Sequence, residues 1–161
     1  MSGPVILGVD PGKTGALAWH SGAGGLVVHD MPDLTGAALA ACLADLILED
    51  GRPAEAWVEK VGAMPKQGVA STWKFAEGYG VILGVLGALQ VPVRLVTPRA
   101  WKKAAGLGKD KNASRQRAVE LWPHCSHLFA RVKDDGRAEA ALIARHGWIN
   151  RAASAAGEGE A

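Results

Sequence analysis

Three acidic side chains in this sequence occupy positions typical of metal ligands. Asp10 follows an apolar, β-branched run and precedes a Pro-Gly pair, which indicates an acid at the end of a buried strand. Glu59 ends a second apolar run, and Glu139 lies in a helical segment four residues after Asp135. An unpaired charge at the edge of the core is strongly unfavourable, so acids in these positions indicate a cation or a hydrogen-bond donor beside them.

Each acid also has a purely structural interpretation. Asp10 is equally well placed to cap its own turn by accepting hydrogen bonds from backbone N–H groups. Glu59 can be an ordinary acid at a strand end, and Asp134 or Asp135 can cap the helix that follows, where acids favour the macrodipole. However, Asp135 and Glu139 share one helical face, and like charges at this spacing repel unless a dication lies between them.

The elements that position these acids follow from hydrophobic periodicity and from turn residues. Strands are predicted over 5–10, 15–20, 25–31, 54–59 and 91–96. Helices are predicted over 35–49, 72–89, 98–105, 114–122 and 136–145. This order predicts an α/β fold with a five-stranded mixed sheet flanked by helices, in which strands 1–3 pair antiparallel and strands 4 and 5 run parallel to strand 1.

The first and fourth strands bring two of the acids together. These strands are joined through a helix and are therefore parallel if they are neighbours in the sheet. The carboxyl ends of neighbouring parallel strands meet at one sheet edge, where the ligands of open α/β folds collect. Asp10 and Glu59 are then expected to share a site.

Basic residues are concentrated in the middle of the chain. Residues 1–59 contain two Lys or Arg and eight Asp or Glu, whereas residues 60–117 contain eleven Lys or Arg and two Asp or Glu. Such asymmetry favours a polyanion partner, and a solvated basic face is the alternative. Gln67 and Ser71 are candidates to contact base edges. The candidates for phosphate contacts are Lys66, Lys74, Arg94, Arg99, Lys102, Lys103, Lys109, Lys111, Arg115 and Arg117.

Composition and length limit the class of protein. A chain of 161 residues is expected to form one domain, here over 1–149, followed by a disordered tail over 150–161 that is rich in Ala, Gly and Glu. Cys42 and Cys125 fit a reduced cytoplasmic protein, and no apolar run is long enough to span a bilayer. His124 and His127 lack a second ligand pair nearby, which argues against zinc.

Five separated blocks resemble one known family when they are taken together. They are Ile-Leu-Gly-Val-Asp-Pro-Gly-Lys-Thr-Gly at 6–15, Val-Glu at 58–59, Met-Pro-Lys-Gln-Gly-Val at 64–69, Val-Thr-Pro-Arg-Ala-Trp-Lys-Lys at 96–103 and Asp-Asp-Gly-Arg-Ala-Glu-Ala at 134–140. In this order they resemble RuvC-type Holliday-junction resolvases, particularly the branch found in phages and plant chloroplasts. The resemblance extends to about Gly147 and implies the RNase H-like fold.

The resemblance implies a site with two Mg²⁺ ions, for which Mn²⁺ would substitute. Asp10 would bridge the two ions and Glu59 would hold one of them. Glu139 would complete the set with either Asp134 or Asp135, since the family pattern favours the former and helical geometry the latter. Carboxylate oxygens are the hard ligands that Mg²⁺ prefers.

Other positions match the family only in part. Lys111 matches a family lysine near the scissile phosphate. Bacterial members place their last two acids three residues apart, whereas Gly136 occupies that position here. They also carry an aromatic residue shortly after the second acid, which stacks on junction bases. Met64, Pro65 or Trp73 would have to take that role in this chain.

The implied activity is the resolution of four-way DNA junctions by paired symmetric nicks that leave 5′-phosphate ends. A four-way junction has two-fold symmetry, so a homodimer with two active sites is expected, located in the cytoplasm near the nucleoid. A non-catalytic junction-binding protein and a nuclease acting on flaps or forks are the alternatives. A P-loop NTPase is excluded, because the glycine that the motif needs would have to replace Leu7.

Overall fold

The computed structural model describes residues 3–62, 66–110 and 112–158. The strands are β1 (Ile6–Asp10), β2 (Ala16–His20), β3 (Leu26–Asp30), β4 (Glu55–Glu59) and β5 (Val93–Val96). They form one five-stranded sheet in the order β3-β2-β1-β4-β5. β1, β2 and β3 pair antiparallel, whereas β4 pairs parallel with both β1 and β5. The predicted α/β class and all strand directions are confirmed.

Helices connect the strands and follow the last one. They are α1 (Gly36–Asp50), α2 (Val69–Ala88), α3 (Pro98–Ala104), α4 (Ala113–Leu121) and α5 (Asp135–Glu158). Two 3₁₀ helices that the sequence pattern did not predict, Pro123–Phe129 and Val132–Asp134, join α4 to α5. Within the described residues, no helix is both long enough and apolar enough to cross a membrane.

Helices cover both faces of the sheet. α1 and α2 pack on one face, where Val9, Leu39 and Ile82 belong to a single buried apolar cluster. α5 covers the other face together with a second buried cluster that contains Trp101 and Trp122. Because side chains alternate along a strand, successive residues of β1 and β4 point to these two cores in turn.

The central part of α5 lies unusually close to β1. Gly8 faces the helix, and a Cβ atom at this position would overlap the Ala140 carbonyl oxygen and the Ala144 backbone nitrogen. The alanines of this helix face are fully buried. Small residues on both sides therefore allow the helix backbone to rest directly on the strand, next to the carboxyl end of β1.

The end of α5 differs from the sequence prediction. A disordered tail was expected from Asn150, but the helix continues to Glu158. Residues 151–155 are exposed, so packing does not hold this part of the helix. The segment is rich in Ala, which has the highest intrinsic helix propensity, and this propensity accounts for the longer helix. The domain boundary at residue 149 stays a prediction.

Candidate active site

Asp10, Glu59 and Glu139 meet at the carboxyl edge of the sheet. Asp10 and Glu59 are the last residues of β1 and β4, and the register that pairs Val9 with Val58 brings them next to each other. Both acids point to the face covered by α5, which supplies Glu139 from its second turn. One carboxylate oxygen from each residue lies within 4.8 Å of the others.

The environment of this acidic cluster disfavours negative charge. Burial, together with the neighbouring carboxylates Glu139 and Glu59, raises the pKa of Asp10 to about 8 against the positive charge of Lys102. Burial also raises the pKa of Glu59, which is 8% exposed. A bound cation would favour the charged forms of these carboxyls. An oxygen-only ligand set fits Mg²⁺ or Mn²⁺.

Groups on α3 and α4 hold two of the three acids. The Trp101 indole Nε1 donates a hydrogen bond to Glu59 Oε1 at 3.0 Å. The Ser114 hydroxyl donates to Glu139 Oε1 at 3.4 Å, and Lys102 Nζ lies 3.5 Å from the same oxygen. Sequence reasoning missed the contributions of Trp101 and Ser114. Because a buried indole normally has a hydrogen-bond acceptor, a core position for Trp101 could have indicated that its N–H binds a nearby acceptor.

Asp134 and Asp135 are not part of the acidic cluster. Asp134 is 1% exposed and accepts hydrogen bonds from the Arg131 backbone and guanidinium at 2.8 Å. The Arg131 side chain holds the pKa of the Asp134 carboxyl below its ordinary value. Asp135 accepts from Arg115 Nε at 2.9 Å. Arginines thus bind both acids, and a fourth metal ligand from this pair stays a prediction.

Gly136 explains one departure from the family pattern. A Cβ atom at this position would overlap the Thr14 carbonyl oxygen and would lie 3.1 Å from Asp10 Oδ2. The turn between β1 and β2 therefore leaves no room for a side chain here. This packing excludes the acid that bacterial members carry three residues before the last ligand.

A cleft of about 480 Å³ opens beside the acidic cluster. Its walls include Pro11, Glu59, Gln67, Phe75, Lys102 and Glu139. A neighbouring cavity of about 240 Å³ shares Gln67 and Phe75 with it and adds Ser71 and Lys74. Gln67, Ser71, Lys74 and Lys102 were all predicted to contact DNA. Gln67 and Lys102 line the cleft beside the acids, whereas Ser71 and Lys74 line the neighbouring cavity.

The remaining predicted DNA-binding residues divide into two groups. Lys66, Arg99, Lys103 and Lys109 are exposed. Three arginines are engaged within the protein instead: Arg94 with Glu55, Arg115 with Asp135 and Asn112, and Arg117 with Glu120 and the Ala105 carbonyl.

The three candidates to stack on junction bases are only partly covered by the structure. Trp73 is 73% exposed in the second turn of α2 and is therefore available for such a contact. Met64 and Pro65 lie outside the described residues, as does Lys111. The roles of these four residues stay predictions.

Several solved structures resemble the fold of this chain. No protein-family model matches the sequence, and no curated protein matches it. Thermus thermophilus RuvC in complex with a Holliday junction substrate is similar with a TM-score of 0.64 and 17% identity, covering 91% of this chain and 95% of that chain.

One yeast structure and one viral structure are also similar to this chain. The yeast mitochondrial Holliday junction resolvase Ydc2 has a TM-score of 0.55 and 16% identity, covering 89% of this chain and 78% of that chain. The fowlpox virus resolvase, solved with Holliday junction DNA, has a TM-score of 0.51 and 16% identity, covering 91% and 97%. The chain therefore has the RNase H-like fold in the form found in RuvC-type resolvases, as the sequence predicted.

Proposed function

We propose that this protein is a metal-dependent endodeoxyribonuclease that resolves four-way DNA junctions. The convergence of Asp10, Glu59 and Glu139 within 4.8 Å carries the proposal. This cluster lies at the ligand-binding edge of a fold shared with three Holliday junction resolvases. The proposed site of action is the cytoplasm, close to the nucleoid.

The acids are suited to phosphodiester hydrolysis. Asp10, Glu59 and Glu139 would hold two Mg²⁺ or Mn²⁺ ions, which would supply activation of the attacking water and stabilisation of the leaving 3′ oxygen. Because Asp10 and Glu59 lie at the ends of buried strands, their carboxylates would need little rearrangement to act as ligands.

The surrounding polar residues would bind the DNA. Lys102 lies in the cleft beside Glu139, so its ammonium group is placed to contact a phosphate close to the cut. Lys111 is proposed to act at the scissile phosphate, from the family resemblance. Gln67 and Ser71 would contact base edges. The exposed cations Lys66, Lys74, Arg99, Lys103 and Lys109 would neutralise phosphates along the DNA arms.

A homodimer would place two such sites on one junction. The exposed side of α2 carries Gly80, Gly84 and Gly87, and a Cβ atom at any of them would have no neighbour within 4 Å. This surface would let a second helix approach closely. Gly78, by contrast, faces inward against Leu34. Paired active sites would then nick opposing strands symmetrically and leave 5′-phosphate ends.

Cleavage of a synthetic mobile four-way junction tests the proposal. The wild-type protein should cut it in Mg²⁺ or Mn²⁺ and not in EDTA, whereas Asp10→Asn should reduce the cleavage rate by at least about 1,000-fold because a ligand of both ions is lost. Asp45→Asn, at an exposed acid of α1 on the opposite face of the sheet, is the matched control and should cut normally. Asp10→Asn should melt no lower than wild type, since it removes a carboxyl whose charged form is disfavoured by burial.

Three outcomes would separate the alternatives. Cutting in EDTA, or an Asp10→Asn protein as active as wild type, contradicts the metal mechanism. Tight junction binding without any cutting favours a non-catalytic junction-binding protein. Faster cutting of flaps or forks than of junctions favours a related nuclease with another substrate.

A further inference from the structure

We infer that Trp101 is a positioning residue of the metal site, whose indole N–H fixes the Glu59 carboxylate in the orientation that binds an ion. This inference rests on the proposed function, because it concerns the same acidic cluster. Trp101 is fully buried, and its Nε1 lies 3.0 Å from Glu59 Oε1. The hydrogen bond is therefore shielded from water on the side of the indole.

The local fold leaves the indole little freedom. α3 begins immediately after β5, and the Thr97 side chain caps it by accepting a hydrogen bond from the Ala100 backbone at 3.3 Å. Pro98 at the first helical position fixes the entry angle. The next residue after Trp101 is Lys102, whose ammonium lies 5.1 Å from the indole centroid. α3 thus contacts two of the three acids through consecutive residues.

The hydrogen bond also has the right chemistry for a ligand partner. An indole N–H can only donate, so it engages one lone-pair direction of the carboxylate and leaves the others for an ion. Donation to a charged carboxylate favours the charged form, which is the form that binds metal. Partners of this kind orient metal ligands, and their removal typically weakens metal binding about 10- to 100-fold.

The same strand provides a matched control. Trp57, in the middle of β4, donates its Nε1 hydrogen bond to Oε1 of Glu55 at the opposite end of the strand, at 2.8 Å. The described residues thus contain a second indole–glutamate hydrogen bond. Glu55 is remote from the acidic cluster and lies with Arg94 and Arg151. Trp57→Phe therefore removes an equivalent hydrogen bond without touching a proposed ligand.

Mn²⁺ binding to the DNA-free protein, measured by calorimetry and by the electron paramagnetic resonance signal of free Mn²⁺, tests this role. Trp101→Phe should weaken Mn²⁺ binding at least about 10-fold, whereas Trp57→Phe should leave it within about twofold of wild type. Replacing the Trp101 indole by benzothiophene, which keeps the ring shape but lacks the N–H, should reproduce the loss. This second variant separates hydrogen bonding from packing if Trp101→Phe folds poorly.

These measurements distinguish failure of the Trp101 role from failure of the proposed function. If wild-type protein binds no Mn²⁺ and cuts no junction, the proposed function itself fails. If wild type binds Mn²⁺ and the benzothiophene variant binds it equally well, only the positioning role of Trp101 is overturned. Equal losses in the Trp101 and Trp57 variants would also overturn it, since the effect would then not depend on contact with Glu59.

Discussion

Two buried aspartates of this protein, Asp10 and Asp134, show how partners decide what a carboxylate does. Arg131 binds Asp134 through its backbone and its guanidinium, which lowers the pKa of Asp134 and fixes it as a structural anion at the start of α5. Asp10 has other acids as neighbours instead, and its pKa is raised to about 8. A bound cation would relieve this destabilisation at Asp10, whereas Arg131 already compensates the charge of Asp134.

The buried His20 predicts a pH-dependent stability. Burial lowers the pKa of His20 from 6.5, partly offset by a hydrogen bond with the Gly25 carbonyl, and the charge of Arg145 lowers it further. The unfolded state therefore binds the proton more readily than the folded state. The stabilising contribution is fully present above pH 6.5 and is lost as the pH falls from 6.5 through the lower folded value.

Urea unfolding at pH 7.5 and pH 5.5 measures this contribution. Asp10, whose pKa is raised, stabilises the folded state as the pH falls, so the His20 contribution is measured as a difference between two proteins. On going to the lower pH, His20→Asn should lose less, or gain more, free energy of unfolding than wild type. His127→Asn alters an exposed histidine and should behave like wild type. An equal change in His20→Asn and wild type would assign the effect to other groups, such as His146, whose pKa is also lowered by burial.

The sequence predicted the three acids that meet but not the groups that hold them. Asp10 and Glu59 end apolar runs, so alternation along the strands was sufficient to place them at one edge. Asp134 and Asp135 looked equally suitable as ligands, because sequence spacing does not show that Arg131 and Arg115 reach them. Contacts between distant segments, including Trp101 with Glu59, depend on tertiary packing alone.

At the scale of elements, the contact between α5 and β1 positions the site. Because the helix backbone rests on Gly8, the place of Glu139 along the sheet is set by backbone packing rather than by flexible side chains. Gly136 makes a second close contact, with the turn that follows Asp10. Both contacts lie within the same stretch of α5 as the proposed ligand.

Gly8→Ala should therefore damage both stability and activity. The added methyl group would overlap the Ala140 carbonyl oxygen and the Ala144 backbone nitrogen, so the helix must move away from the strand. We expect a loss of about 3 kcal/mol in the free energy of unfolding and a large loss of metal affinity. Gly36→Ala, at the open start of α1, should change stability by less than about 1 kcal/mol. A Gly8→Ala protein as stable as this control would show that the close contact is absent in solution.

The sequence predicted a strand or helix correctly where its ends or its apolar periodicity are marked by local residues. Strands bounded by Gly and Pro were placed within a residue or two, since their ends are marked in the sequence. The 3₁₀ helices of residues 123–134 have no comparable periodicity and follow the packing of Cys125 and Phe129 into the core. The extension of α5 beyond residue 150 was missed because its Ala-rich, exposed sequence gives no apolar repeat.

At the scale of the whole molecule, the proposed homodimer would pair through the exposed side of α2. Gly84→Arg should convert this proposed dimer to a monomer in light scattering coupled to size-exclusion chromatography, because the arginine would enter the open surface beside Gly80. The monomer fold should be unaffected. On a junction, this variant should nick one strand at a time and lose simultaneous paired nicks.

Ala153→Arg adds the same charge on the exposed end of α5 and should remain dimeric. If wild-type protein is monomeric at the concentrations that support cleavage, the proposal that it acts as a homodimer is contradicted. If Gly84→Arg stays dimeric, pairing uses a surface other than the exposed side of α2.

The acids of the proposed catalytic centre come from β1, β4 and α5, and the last of them stands near the end of the described chain. A polypeptide emerging from the ribosome therefore carries only two of the three until α5 has left the exit tunnel and docked. Products that lack α5 should thus lack the proposed cutting activity. Docking of α5 on the sheet would be the folding step that completes the proposed site.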